Sequence, residues 1–245
     1  MNKKVVIVMP AYNAEKTLIK TFNDIPKSLR IPKNIILVDD VSADKTVEVA
    51  KKLGINVVVH GINTGYGGNQ KTCYDQALKS HADIVVMIHP DYQYDSSMTE
   101  ELIRPLMDGW VDIMLGNRIR TRREALENGM PFYKYISNRI LTAIENIILG
   151  TNLGEFHTGF RAYKANTLKE LPYTKFSDDF VFDQEFLFSA VYNGFRIGEI
   201  SIPVRYFDDA SSISLKNSVI YGVKTLQVCL KYLLTKGKIV NYKIF

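Results

Sequence analysis

In the first half of the chain, short runs of aliphatic and β-branched residues alternate with stretches of helical periodicity. The runs occupy residues 4–9, 34–38, 55–59, 83–88 and 112–115. Strands that are apolar over nearly their whole length, and that are separated by helices, belong to a mostly parallel sheet covered on both faces. The pattern therefore predicts an α/β fold with a Rossmann-like, mostly parallel sheet flanked by helices.

The second half of the chain departs from this rhythm. It reads as a polar loop at 118–129, a helix at 132–149, a strand at 157–163, a helix at 182–193, a strand at 196–206 and a helix near 215–236. Hydrophobic residues make up 46% of the chain and charged residues 23%, which is typical of globular proteins rather than disordered ones. We therefore expect one domain at 1–206 and a C-terminal helical segment at 207–245 that faces a membrane or another subunit.

The charge and the cysteines bear on partners and compartment. A formal charge of +5 is compatible with anionic lipid or phosphorylated substrates, and we expect no nucleic-acid partner. The chain has no apolar stretch of about 18 residues and no signal-peptide core, so membrane contact is expected to be peripheral. Cys73 and Cys229 lie in apolar helical patterns, as buried thiols of a reducing, cytoplasmic compartment do.

Polar loops follow the predicted strands, at residues 10–13, 39–44, 60–68, 89–95 and 116–123. In open α/β sheets, the loops at the carboxyl ends of the strands form the ligand crevice. Asp39 and Asp40 are therefore expected to reach a ribose or a base edge, while Ser42 caps the following helix.

Two further loops carry residues suited to binding a phosphorylated ligand. Residues 63–71 form a glycine-rich turn whose backbone can approach a ligand closely, although the sequence of a P-loop is absent. Asp91 and Gln93 follow the fourth strand and offer the hard oxygen ligands that Mg²⁺ or Mn²⁺ prefers. An ordinary acidic turn is the alternative for this loop.

Taken in order, these motifs resemble family 2 glycosyltransferases, and most of all the dolichyl-phosphate mannose synthase and polyprenyl-phosphate glycosyltransferase branch. The resemblance spans residues 4–206. The motifs are Pro10-Ala11-Tyr12-Asn13, Asp39-Asp40-x-Ser42-x-Asp44, Asn63-x-Gly65, Pro90-Asp91-x-Gln93, Gly116-Asn117-Arg118 and Gly159-Phe160-Arg161. The resemblance implies a GT-A fold and an inverting hexosyltransferase of glycan biosynthesis, which moves a sugar from a nucleotide-sugar donor to a polyprenyl phosphate.

The resemblance also implies which residues bind the donor and a divalent cation, Mg²⁺ or Mn²⁺. The implied metal ligands are Asp91 and Gln93. The chain departs from the family at His89, where an Asp is usual, so His89 is either a third ligand or a neighbour of the ligands. The implied donor-binding residues are Pro10, Ala11, Tyr12, Asn13, Asp39, Asp40, Asn63, Gly65, His89, Pro90 and Gln93.

Which of the remaining candidate residues take part depends on the kind of acceptor. A lipid phosphate is already anionic and needs cations, for which Arg118, Arg161 and Arg205 are expected. A sugar hydroxyl needs a general base, for which Asp183 and Glu185 are the candidates. With Asp91, these make the candidate catalytic set Asp91, Arg118, Asp183 and Glu185, unless the fold binds nucleotide sugar without catalysis.

Two helical segments, 133–149 and 219–234, are apolar with basic residues nearby. Such helices bind a cytoplasmic membrane face, or pack against the protein's own core, a membrane partner protein or a second copy of the chain. The basic residues are Arg139, Lys224, Lys231, Lys236 and Lys238.

Overall fold

The computed structural model describes residues 3–119, 121–127, 129–203, 205 and 215–245. Its strands form one sheet in the order β3-β2-β1-β4-β6-β5-β7. Only β6 runs antiparallel to its neighbours, and the other pairings are parallel. The predicted mostly parallel α/β sheet is therefore confirmed. The strands are β1 (Val5–Ala11), β2 (Ile35–Asp39), β3 (Asn56–Val59), β4 (Ile84–Met87), β5 (Ile113–Asn117), β6 (Arg161–Lys164) and β7 (Ile197–Ser201).

Helices cover both faces of the sheet. Along β1, Val6 and Val8 point into one hydrophobic core while Ile7 and Met9 point into the other, because successive side chains of a strand face opposite ways. Two cores, one on each face, fix the sheet between its helices. The helices are α1 (Leu18–Asp24), α2 (Thr46–Lys52), α3 (Gly65–Lys79), α4 (Thr99–Met107), α5 (Arg122–Glu127), α6 (Phe132–Leu149), α7 (Ala165–Glu170), α8 (Phe182–Tyr192) and α9 (Leu215–Lys236).

Element boundaries differ from the sequence predictions where loop residues take special conformations. The first helix begins at Leu18 rather than at 14, after Asn13 adopts a left-handed φ of 52°. The third begins at Gly65 rather than at 68, so the glycine-rich turn is itself the first turn of α3. The predicted domain boundary at Tyr206 lies outside the described residues, so that division stays a prediction.

The C-terminal helix packs on the rest of the chain. α9 contacts α6 and α8, and its Val228, Cys229 and Tyr232 join the core on that face of the sheet. None of the helices in the described ranges is both long and apolar enough to cross a bilayer.

Candidate active site

The loops after β1 and β2 lie side by side because the two strands pair in parallel, with Ala11 opposite Asp39. Pro10 and Ala11 belong to the buried strand itself, whereas Tyr12 beyond them is 61% exposed. From this first motif, only residues past the strand therefore reach the crevice.

Side chains of one loop fasten the other. The Asn13 N–H donates to Ser42 Oγ at 2.8 Å, and the Ala43 N–H donates back to Asn13 Oδ1 at 2.8 Å. The Glu15 N–H donates to Asp44 Oδ2 at 3.0 Å. The prediction that Ser42 caps the second helix is wrong, because α2 begins only at Thr46 and Ser42 serves the neighbouring loop instead.

Asp39 presents one free carboxylate oxygen. Its side chain is 1% exposed, and Oδ2 accepts the Ser42 N–H at 2.9 Å. Oδ1 is buried without a hydrogen-bond partner among the described residues. A buried acceptor without a partner costs free energy, so Oδ1 is poised to accept a donor group from a ligand.

Asp40 uses both oxygens inside the protein. Oδ1 accepts the Thr64 N–H and contacts His60 Nδ1, both at 2.8 Å, and Oδ2 accepts the Gly65 N–H at 3.0 Å. Burial raises the pKa of the Asp40 carboxyl, but hydrogen bonds from Thr64 and His60 outweigh burial and hold the pKa below its ordinary value. Asp40 therefore shapes the glycine-rich turn rather than presenting a free oxygen to the donor.

The glycines of the turn meet protein backbone. Gly65 has a φ of 81°, and its N–H also donates to Asn63 Oδ1 at 3.1 Å. The Gly67 N–H donates to Asp178 O at 2.8 Å, and a Cβ at Gly67 would lie 2.3 Å from Ser177 O. The close approach expected for a ligand is thus made at Gly67 by the segment that precedes α8.

Asp91 and Gln93 lie in the loop after β4. Asp91 Oδ1 accepts the Gln93 N–H at 3.1 Å, and Gln93 is 7% exposed. The described residues contain no group of three His, Cys, Asp or Glu side chains that would hold a metal alone. Mg²⁺ is usually held by one or two carboxylates together with substrate phosphates, so Asp91 and Gln93 fit a cation that arrives with a diphosphate.

His89 is locked against Tyr66 beside this loop. The two rings are stacked, with centroids 5.5 Å apart and planes 3° apart. On the other side, a Cβ at Gly159 would lie 2.7 Å from His89 Cδ2. Burial lowers the pKa of the His89 imidazole, and the charges of Asp91 and Asp183 offset only part of the shift.

Tyr66 then connects His89 to Asp183. Its hydroxyl donates to Asp183 Oδ2 at 2.8 Å, and Asp183 Oδ1 accepts from Gln70 Nε2 at 3.1 Å. Sequence reasoning missed Tyr66, for which an aromatic residue inside a glycine-rich turn at a strand's end was the available signal.

Arg161 completes this cluster from the protein interior. It is 1% exposed, its Nη1 lies 3.2 Å from Asp183 Oδ1, and its Nε donates to Thr158 O at 2.6 Å. Its guanidinium is thus enclosed and engaged by interior acceptors, and its binding of an acceptor phosphate stays a prediction.

Glu185 does not join Asp183. Side chains two residues apart on a helix do not share a face. Glu185 Oε2 accepts the Ser177 N–H at 2.5 Å, and Oε1 lies 3.8 Å from Lys231 Nζ. Burial raises the pKa of the Glu185 carboxyl above its ordinary value. The expected pair of acidic candidates is thus split between two faces of α8.

Arg118 lies at the end of β5 and has a cationic neighbour. Its Nε donates to the buried Glu155 at 2.6 Å, and its Nη2 donates to His157 O at 2.7 Å. Burial lowers the pKa of the Lys134 ammonium, and the positive charge of Arg118 lowers it further. Sequence reasoning missed Lys134, which lies in the first turn of α6, far from every motif.

Arg205 is fastened to the outer side of the β4 loop. Its Nη2 lies 3.4 Å from Asp24 Oδ2 and 3.3 Å from Asp95 Oδ2, and its guanidinium lies 4.3 Å from the centroid of the Tyr92 ring. Its N–H donates to Gln93 O at 2.8 Å. Both ion pairs use Nη2, whereas Nη1 is buried without a hydrogen-bond partner among the described residues, so the role of Arg205 in binding an acceptor phosphate stays a prediction.

Comparison with known proteins places this arrangement among enzymes. The model of the family described as "Glycosyl transferase family 2" matches residues 6–171. The chain is 26% identical over 257 residues to the UDP-N-acetylglucosamine–dolichyl-phosphate N-acetylglucosaminyltransferase of Methanococcus voltae, covering 98% of this chain and 99% of the relative. It is 24% identical to the dolichyl-phosphate hexose transferase of Haloferax volcanii, covering 92% and 93%.

A solved structure has the same fold. Glucosyl-3-phosphoglycerate synthase of Mycobacterium tuberculosis, in complex with Mn²⁺, uridine diphosphate and phosphoglyceric acid, superposes with a TM-score of 0.70 at 17% identity, covering 98% of this chain and 80% of the other. This likeness confirms the GT-A fold. The chain is a glycosyltransferase that belongs to glycosyl transferase family 2.

Proposed function

We propose that the enzyme transfers a sugar, with inversion, from a nucleotide-sugar donor to a polyprenyl phosphate at a cytoplasmic membrane face. Two relatives that align over nearly their whole length with the chain carry names of transferases acting on dolichyl phosphate. The choice of a phosphate acceptor rests on one observation, which is that both candidate bases, Asp183 and Glu185, are already engaged in hydrogen bonds and ion pairs.

A hydroxyl acceptor requires a base that is free to take a proton. Asp183 already accepts hydrogen bonds from Tyr66 and Gln70 and pairs with Arg161. Glu185 faces Ser177 and Lys231 instead. An acceptor that arrives ionised, such as a lipid phosphate, needs neither of them.

The donor enters the crevice at the ends of β1, β2 and β4. Asp39 Oδ1 accepts an N–H or O–H of the nucleoside, and Tyr12 stands exposed beside it. Asp91 and Gln93 would hold the divalent cation, which would supply positive charge to a departing diphosphate. His89, stacked on Tyr66, packs beside this loop.

On the acceptor side, Arg118 and Lys134 attract the phosphate of the lipid. Their charges lie close enough for Arg118 to lower the pKa of Lys134, and an anion between them relieves this repulsion. An acceptor phosphate oxygen then attacks the anomeric carbon as the bond to the nucleoside diphosphate breaks. One displacement inverts the configuration at that carbon.

A donor screen tests this proposal. UDP-, GDP- and dTDP-sugars are each incubated with Mn²⁺ and a short polyprenyl phosphate, and glycosyl-phosphoprenol and free nucleoside diphosphate are followed by mass spectrometry. We expect both products from at least one donor and neither after chelation with EDTA. Release of nucleoside diphosphate with no glycolipid from any donor would contradict the proposed acceptor.

A further inference from the structure

Helix α6 has its polar side buried and an apolar side exposed. Asn138, Thr142 and Glu145 are at most 7% exposed, and they share one face. Tyr133, Ile136, Ile140 and Ile147 lie at helical spacing on the other face, where they are 42%, 39%, 55% and 81% exposed. A helix that packs only on its own core has the reverse arrangement, so the outer face of α6 is built for apolar surroundings.

Helix α9, which packs against α6, also exposes an apolar side, in addition to the apolar side that its Val228, Cys229 and Tyr232 bury in the core. Its side chains Thr225 and Thr235 are buried at 0% and 6% exposure. Its outer side carries an unbroken stripe at intervals of three and four residues. The stripe consists of Val219, Val223, Leu226, Leu230 and Leu233, which are between 45% and 60% exposed.

These two helices lie beside the candidate site. Tyr221 of α9 accepts a hydrogen bond from Gln184 Nε2 at 2.7 Å, and its hydroxyl lies 2.8 Å from His157 Nδ1. Gln184 is the neighbour of Asp183 in α8. At the start of α6, Lys134 comes within electrostatic range of Arg118. The two helices that carry the exposed apolar side chains therefore contact residues of the candidate site.

The charge of the C-terminal residues indicates which partner covers the exposed apolar sides of α6 and α9. Residues 215–245 contain six lysines and neither Asp nor Glu, so their formal charge of +6 exceeds the +5 of the whole chain. Lys224 pairs with Asp179 and Lys231 with Glu185, whereas Lys236, Lys238 and Lys243 are exposed. Two copies of such a segment repel each other, whereas an anionic surface attracts it.

We infer that the outer faces of α6 and α9 together form a docking surface for an anionic lipid bilayer, with the apolar stripes in the interface and the lysines at the headgroups. This inference rests on the proposed function, because docking there brings the crevice to a phosphate that a membrane-embedded polyprenyl chain presents. It adds which surface of the enzyme meets the lipid.

Vesicle sedimentation tests the inference with a matched pair of variants. Leu230→Glu places a charge in the stripe, and Trp110→Glu makes the same change at a residue that is 69% exposed in the turn between α4 and β5. Phosphatidylcholine vesicles with phosphatidylglycerol are compared with vesicles of phosphatidylcholine alone. We expect the wild type and Trp110→Glu to bind the anionic vesicles in a salt-sensitive manner, and Leu230→Glu to bind them at least tenfold more weakly.

Transfer to a short, water-soluble polyprenyl phosphate is measured on the same proteins. Equal rates for all three would show that Leu230→Glu left the fold and chemistry intact. A wild type that binds anionic vesicles but transfers no sugar to any lipid phosphate would refute the proposed function and leave the docking surface standing. The inference is overturned if Leu230→Glu binds like the wild type, if the wild type does not bind, or if sedimentation shows a dimer that Leu230→Glu dissociates.

Discussion

The donor half and the acceptor half of the crevice are built in different ways. At the ends of β1 and β2, residues of one motif fasten the loop that carries the other, as Asn13, Ser42 and Asp44 do. On the proposed acceptor side, each candidate arginine is engaged by an acidic residue that lies outside the sequence motifs. The pairs are Arg118 with Glu155, Arg161 with Asp183, and Arg205 with Asp24 and Asp95.

This difference explains why one half is easier to predict. In the donor half, the hydrogen-bonding partner of one motif residue is another motif residue, so the pairing of neighbouring strands already brings the two together. In the acceptor half, the charge that a side chain offers depends on a partner that only the tertiary fold supplies. An arginine in a loop is therefore a weaker indication of an anion site than a carboxylate at a strand's end.

The largest effect is expected in the donor half, at Asp91. Asp91→Asn removes the negative charge that holds the cation, and transition-state stabilisation by a metal amounts to several kcal/mol, so kcat should fall about a thousandfold. Steady-state kinetics across a Mn²⁺ titration measure the effect, with circular dichroism as the folding control. Wild-type turnover at any Mn²⁺ concentration would remove Asp91 from the metal site.

Asp39 and Asp40 test the proposed donor site more sharply, because Asp39 is expected to bind the nucleoside and Asp40 to hold the glycine-rich turn. Asp39→Asn should weaken nucleoside-diphosphate binding roughly ten- to a hundredfold, since a hydrogen bond to a charged group is worth about 1.5–3 kcal/mol. Asp40→Asn should instead lower the free energy of unfolding by about 2 kcal/mol, because the Thr64 and Gly65 N–H groups lose their carboxylate.

The stability change at Asp40 should depend on pH. The pKa of Asp40 is lowered in the folded protein, so its contribution is full above the unfolded pKa of about 4 and is lost as the pH falls through the folded pKa. Calorimetry for binding and urea unfolding between pH 3 and 7 separate the two roles. Identical profiles for both variants would erase the distinction.

The smallest effect is expected at Lys134 in the acceptor half. Lys134→Gln should raise KM for the polyprenyl phosphate roughly tenfold and leave KM for the donor unchanged, because one of two cations is removed. Because the pKa of Lys134 is lowered, Lys134 should lose its proton at a lower pH than a lysine of ordinary pKa. The wild-type KM for the polyprenyl phosphate should therefore begin to rise at that lower pH. Lys169→Gln, at an exposed position after β6, is the control. Equal increases in both KM values would place Lys134 outside the acceptor site.

Hydrophobic periodicity predicts the order of the strands and helices, because β1, β2, β4 and β5 are buried strands, β3 is an apolar edge strand, and helices separate them. Periodicity does not predict contacts between distant parts of the chain. At Gly67, for example, the missing side chain leaves room for the backbone of Ser177, more than a hundred residues away. Lys134 belongs to no motif, so the sequence does not indicate its role. Tyr66 lies inside the glycine-rich turn, but its hydrogen bond to Asp183 depends on contacts that only the tertiary fold creates.

The proposed function requires an acceptor that is an ionised lipid phosphate. A competition experiment tests it most directly: the enzyme, in excess over donor, meets equal concentrations of a short polyprenyl phosphate, the matching polyprenol and a saccharide, and the products of one turnover are measured by mass spectrometry. We expect the sugar to be transferred to the polyprenyl phosphate and the polyprenol to stay unmodified. Preferential transfer to the saccharide, abolished by Asp183→Asn, would contradict it.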